Sequence, residues 1–165
     1  CGMGRDVTAQ REAEAARAAL AARQEALIAA AGQVVVDLDA RTGALEWSGA
    51  VREVLGREPG EMPRTVEELR GLYHPGDFEA CWSEIERSLG AGLDRTVSRA
   101  RLRHADGSGR WLQKRGVLVR GADGSLLRQV ATMADVTREV TLEAEAEAFF
   151  EVGADVFMIA EVDGR

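Results

Sequence analysis

The side chains with the widest chemical reach are two histidines, two cysteines and a run of arginines. Cys81 falls on the stripe Phe78, Cys81, Trp82, Ile85 and Leu89, whose spacing marks the buried face of a helix. A free thiol on such a face packs as a small hydrophobe. Its only companion, Cys1, is distant in sequence, so the chain has neither a disulfide framework nor a CxxC metal pattern. His74 begins His74-Pro75-Gly76-Asp77, a break ahead of that helix, and its imidazole is of the type that can ligate haem. His104 precedes Asp106-Gly107 and is expected on the surface with no role. Arg99, Arg101 and Arg103 alternate and so share one strand face, with Lys114, Arg115 and Arg120 placed on the next strand. Such a face could receive an anion or an acidic partner, or be a solvated surface balanced by acidic helices. The carboxylates are scattered, and no HExxH, P-loop or Ser/His/Asp pattern is present, so no catalytic residues and no metal site are expected.

The strongest functional feature is not a reactive group but a junction. Asp135-Val136-Thr137 ends an alternating segment and opens a charged helical one, and Asp6-Val7-Thr8 repeats the step. Asp135 and Thr137 can cap the outgoing helix while Val136 packs inward. These three residues are the expected signal-relay junction.

The surrounding elements follow from periodicity. Thr8 to about Ala31 contains strong helix formers without Gly or Pro, and predicts one long helix. Its apolar residues are few, and the heptad-spaced Ala13, Leu20 and Leu27 form the expected seam of a parallel homodimeric coiled coil. Gln33 to Asp39 and Leu45 to Ser48 predict a hairpin around Arg41-Thr42-Gly43. Short helices follow over Ala50 to Leu55 and from Thr65, then a longer one from Asp77 to Leu89. Thr96 to His104, Arg110 to Arg120 and Ser125 to Val136 predict three strands joined at Asp106-Gly107 and Asp123-Gly124. Two strands, several short helices and a three-strand meander give an α+β domain: a five-stranded antiparallel sheet with helices on one face.

Thr137 to Glu147 predicts another helix, and Val156 to Ala160 a strand opening a further unit. Cys1 to Asp6 correspondingly reads as the closing strand of an earlier one. The domain reading is therefore residues 1–8, the end of a preceding unit; 9–31, a linker helix; 32–137, the complete domain; 138–151, a second linker helix; and 152–165, the start of a following unit. The steps at Asp6 and Asp135, set against the strand starts at Gln33 and Asp155, differ in spacing by one heptad, which would keep a coiled-coil seam in phase.

At 165 residues and 45% hydrophobic content there is material for one ordinary core. A net charge of −7 argues against nucleic-acid binding. No apolar run is long enough to span a membrane, and the two lone cysteines suit a reducing, cytoplasmic setting.

Trp47-Ser48, Leu55-Gly56 before Pro59, His74-Pro75-Gly76-Asp77, Arg101-Leu102-Arg103, Asp106-Gly107, Arg110-Trp111, Asp123-Gly124 and Asp135-Val136-Thr137 occur in one order across residues 33–137. This combination resembles the PAS sensor domain with its PAC motif, of the kind common in bacterial sensor histidine kinases and diguanylate cyclases. Ala131 stands where that family usually has Gly. The resemblance implies a sheet curled around short helices, able to enclose a small ligand, and a sensory and dimerising role relaying a signal to an output domain in the same chain, most simply a histidine kinase. It also implies that His74 belongs to a structural turn, with Asp77 capping the helix. Nothing here resembles the reactive-cysteine motif of light-oxygen-voltage domains, and no tightly bound cofactor is expected. The alternatives are a ligand-free interaction and dimerisation scaffold, or a haem or flavin redox sensor.

Overall fold

The computed structural model describes the chain from Met3 to Val162, and its side chains over residues 6–150. It begins with α1 (Met3–Ala30), in which every side chain from 6 to 27 is exposed and only Ile28 is partly covered. Gly32, at φ +64°, ends this helix and turns the chain into β1 (Gln33–Asp39). Alternation along β1 buries Val34, Val36 and Leu38 on one face. The hairpin to β2 (Ala44–Gly49) is held by the Asp39 carboxylate, whose Oδ1 accepts from the Arg41 amide at 2.9 Å.

Between β2 and the next strand lie α2 (Val51–Leu55), a 3₁₀ turn at Pro59–Glu61, α3 (Val66–Arg70) and α4 (Asp77–Gly90). The Thr65 hydroxyl caps α3 by accepting from the Glu68 amide at 3.3 Å. On α4 the predicted stripe is realised: Phe78, Cys81 and Ile85 are buried and Trp82 half-buried. Phe78 stacks on Trp82 and meets the edge of Tyr73. The meander then follows as β3 (Arg95–Arg103), β4 (Gly109–Arg120) and β5 (Leu126–Asp135), and α5 (Thr137–Val162) leaves the sheet.

All strand pairings are antiparallel and the sheet order is β2-β1-β5-β4-β3, so the last strand closes against the first. The core lies between the inner face and helices α2 to α4. It is formed by Val34, Val36, Leu55, Leu102, Leu112 and Met133 with the aromatic residues of α4. This is the predicted five-stranded α+β architecture.

Both terminal strands are corrected. Met3 to Asp6 opens α1, and Val156 to Ala160 lies within α5, whereas Cys1, Gly2 and residues 163–165 fall outside the described residues. A strand needs a neighbour for its backbone groups; lacking one, these segments satisfy N–H and C=O groups locally as helix. With Asp155 inside α5, the heptad arithmetic loses its reference point.

The basic face is also divided. Lys114 and Arg115 are adjacent in one strand and must point to opposite sides: Lys114 is buried beneath the sheet and Arg115 exposed above it. Arg120 reaches away from both, donating to the carbonyls of Ser88 (3.2 Å) and Leu89 (3.0 Å) and to that of Leu93. It thereby places positive charge on the carbonyl end of α4, where the helix dipole favours it.

Candidate functional site

The Asp135-Val136-Thr137 junction is built by β5 ending beside β4. The Thr137 amide and hydroxyl both donate to Asp135 Oδ1, at 2.8 and 2.5 Å, and the same hydroxyl oxygen accepts from the Trp111 amide at 2.9 Å. The Val136 amide donates to the Trp111 carbonyl at 2.8 Å, and the Val136 carbonyl accepts the first helical bond from Val140. Val136 is only half-buried, less enclosed than its expected inward packing. Both backbone groups of Trp111 are thus committed to the start of α5. A second tie joins Arg99 Nη1 to Glu143 Oε2 at 3.1 Å.

Beyond Trp111 the connection continues. The Arg101 guanidinium lies 5.1 Å from the centroid of the Trp111 ring, directly across the β3–β4 pair. Arg101 grips Asp77 through Nε (3.0 Å) and Nη2 (2.8 Å), and the Arg101 amide donates to Asp77 Oδ2 at 2.8 Å. Such a fork with added backbone contact is among the stronger and more directional polar contacts. Chiefly because of the Arg101 side-chain hydrogen bonds, the Asp77 carboxyl is held below the usual carboxylate range. This corrects the expected cap: the α4 N-cap is Gly76, at φ +86°, and Asp77 turns to β3 instead.

Asp77 begins the helix whose Phe78, Cys81, Trp82 and Ile85 line an interior cavity of about 20 Å³, together with Tyr73 and Lys114 from elsewhere. That is room for a single water molecule, whereas pockets for drug-sized ligands run to about 300–1,000 Å³. Haem or flavin does not fit it. His74 is exposed, with Nδ1 3.3 Å from the Pro75 carbonyl oxygen, and does not line this cavity. His104 is half-buried rather than on the surface: it lies over Gly56, where an added Cβ would sit 2.6 Å from its Nε2. Among the described residues no group of three His, Cys, Asp or Glu side chains is placed to hold a metal ion, and no helix is long and apolar enough to cross a membrane.

The sequence profile of the PAS fold matches residues 44–133. The chain belongs to the PAS-fold family. PAS domains are sensory rather than catalytic modules. The chain is 28% identical over 109 residues to the sensor protein FixL of Bradyrhizobium diazoefficiens, covering 65% of this chain and 21% of FixL, so it spans about a fifth of that curated relative. Among solved structures, a sensory box histidine kinase/response regulator from Burkholderia thailandensis superposes with a TM-score of 0.65 at 26% identity, over 80% of this chain and 98% of that one. The N-terminal domain of a diguanylate cyclase with PAS/PAC sensor from Marinobacter aquaeolei shares the fold, with a TM-score of 0.55 at 21% identity over 65% and 97% of the two chains.

Of the three expected junction residues, Asp135 and Thr137 are bonded to each other and Val136 to Trp111, whereas the expected seam residues Ala13, Leu20 and Leu27 are all exposed on α1. Sequence reasoning missed the Asp77–Arg101–Trp111 link. All three residues belong to the motifs that carried the PAS resemblance, but their contact depends on strand register.

Proposed function

We propose that this PAS domain is a sensory and dimerising module that passes a conformational signal through α5 to an output domain in the same chain, in a cytoplasmic bacterial signalling protein of the sensor histidine kinase type. The observation that carries the reading is the continuous path from the α4 residues lining the interior, through Asp77, Arg101 and Trp111, to Thr137 at the head of α5. A displacement of α4 reaches the outgoing helix through three side chains, without passing through the apolar core. Val136 and Asp135 complete the junction by fixing the helix start.

Dimerisation is assigned to α1, through Ala13, Leu20 and Leu27. Leu20 and Leu27 are 57% and 62% exposed in the single chain, and a helix covered, among its described side chains, only at Ile28 gains most of its stability from a partner. The flanking helices are read as linkers between tandem units of the parent chain. The small interior favours a second reading, a ligand-free scaffold that relays and dimerises without sensing a molecule itself.

The relay is tested in the dimer by measuring the distance between spin labels on the two α5 helices, introduced as Glu145→Cys in a chain with Cys1→Ser and Cys81→Ser. Asp135→Ala and Arg101→Ala are expected to shift or broaden that distance while the dimer persists. An unchanged distribution in both would reduce the junction to a passive cap.

A further inference from the structure

On the outside of the domain, the turn that leads into α4 and the hairpin that joins β3 to β4 meet over one end of β3. The His74 amide donates to the Arg101 carbonyl and the Arg103 amide to the Leu72 carbonyl, both at 2.8 Å, so the turn is fastened to the strand through its backbone. Arg101 and Arg103 alternate along β3 and project from one face of it. Between turn and hairpin lies a surface pocket of about 90 Å³, lined by His74, Arg101 and Arg103 together with Gly107, Ser108 and Gly109. An added Cβ at Gly107 or Gly109 would meet nothing within 4 Å, so the hairpin wall is bare backbone with open space before it.

The charges around this pocket do not cancel. Its lining contains no carboxylate. Asp77 and Asp106, on the adjoining turns, are already engaged: Asp77 by the Arg101 fork, and Asp106 by the Ser108 amide at 2.8 Å, the Ser108 hydroxyl and His104 Nδ1 at 2.9 Å. Arg103 also borders a groove that holds Glu61 and Glu68, but these carboxylates accept from the Glu58 and Arg64 amides. Among the described residues neither Arg103 nor His74 has a carboxylate within ion-pair reach. Arg101 has donors to spare. Of the five N–H groups of a guanidinium, Asp77 engages one on Nε and one on Nη2, which leaves both on Nη1 and the second on Nη2. The Arg101 side chain is 36% exposed, so an ion can approach them.

We infer that this pocket is a binding site for a phosphate group, free or at the end of a small ester, held by Arg103 and the spare N–H groups of Arg101, with the His74 imidazole at its side. Guanidinium groups match the paired oxygens of a phosphate, and two of them in one pocket suit a dianion better than a carboxylate. The space has room for several water molecules and is well below the about 300 Å³ at which pockets for drug-sized ligands begin, so it suits one compact anion. The inference rests on the relay reading only for its consequence: a phosphate group on Arg101 competes with Asp77 and Trp111 for the same guanidinium, in the middle of the path to α5.

The test is isothermal titration calorimetry of the full chain with sodium phosphate and with phenyl phosphate, near neutral pH over a constant chloride background, with sodium acetate as a planar monoanion. Saturable binding of phosphate is expected, with acetate weaker by about 10-fold or more. Arg103 is exposed and its side chain makes no hydrogen bond or ion pair among the described residues. Arg103→Gln should therefore keep the urea midpoint and weaken phosphate binding by about 10–100-fold, as expected for losing a charged hydrogen bond. Arg115→Gln, at an exposed arginine of β4 outside the pocket, should leave binding unchanged. Phenyl phosphate bound at least as tightly as phosphate supports the site with an ester as its source; binding of phosphate in preference to the ester supports it with the free ion. No saturation with either phosphate compound, acetate as tight as phosphate, binding retained in Arg103→Gln, or an equal loss in Arg115→Gln each overturns the site. Phosphate binding without movement of the α5 spin labels leaves the site standing and defeats its link to the relay; absence of binding with labels still moved by Asp135→Ala overturns the site and leaves the relay.

Discussion

The two helices that flank the PAS core are attached in opposite ways. α5 is tied down at its first residues by backbone and side-chain bonds to Trp111, by Asp135, and by the Arg99–Glu143 pair. α1 passes into the sheet through a left-handed glycine, with Ile28 the one partly covered side chain among its described residues. The contrast separates two tasks. A helix fixed to the sheet follows every movement of the sheet; a helix attached by a single turn is free to be organised by whatever lies along its length.

The largest effect expected from breaking this contrast lies on α1. Leu20→Glu with Leu27→Glu should convert a dimer to a monomer in sedimentation velocity while the circular dichroism of the core persists; a dimer unaffected by the pair would move the interface elsewhere. Next is Asp77→Ala, which strands the Arg101 fork. It should cost about 2 kcal/mol in urea unfolding, the scale of hydrogen bonds to a charged group, and speed amide exchange at the start of α5 without altering α1. The same carboxylate gives a pH signature. Its folded pKa lies below the ordinary 3.8, so its contribution is fully present above that value and is lost as pH falls from there through the folded pKa. Asp77→Asn should therefore flatten that part of the acid-unfolding curve. The smallest effect is expected for Thr137→Val, which removes both the hydroxyl's donation to the Asp135 carboxylate and its acceptance from the Trp111 amide at an exposed junction, about 1 to 1.5 kcal/mol in all, seen chiefly as faster exchange of the Trp111 amide. If that exchange is unchanged, the hydroxyl is not what fastens α5.

Much of this arrangement was legible from local pattern. β-branched composition around the Arg41-Thr42-Gly43 turn placed the first two strands, alternation placed the three of the meander, and the helical spacing from Phe78 to Leu89 placed α4, because these patterns report which side chains meet the core. The residues of the junction were legible as a strand-to-helix step. What local pattern could not supply was partnership across the sheet. Asp77 looked like a cap because its sequence neighbours are helix amides, yet the register of β3 brings Arg101 within reach and the fork prevails. Lys114 was grouped with Arg115 by composition, although adjacent strand residues cannot share a face. Val156 to Ala160 has the composition of a strand and no strand beside it among the described residues, so helix prevails.

One consequence of the arginine placements concerns mechanics. α4 is gripped at its first residue by Arg101 and at its carbonyl end by Arg120, and these arginines come from the two strands of one hairpin. A rod pinned at both ends to the same frame resists sliding and tilting, but it can still roll like an axle in two bearings. A small roll would carry Phe78 and Trp82 sideways across the interior and apply torque, rather than pull, at the Asp77 end.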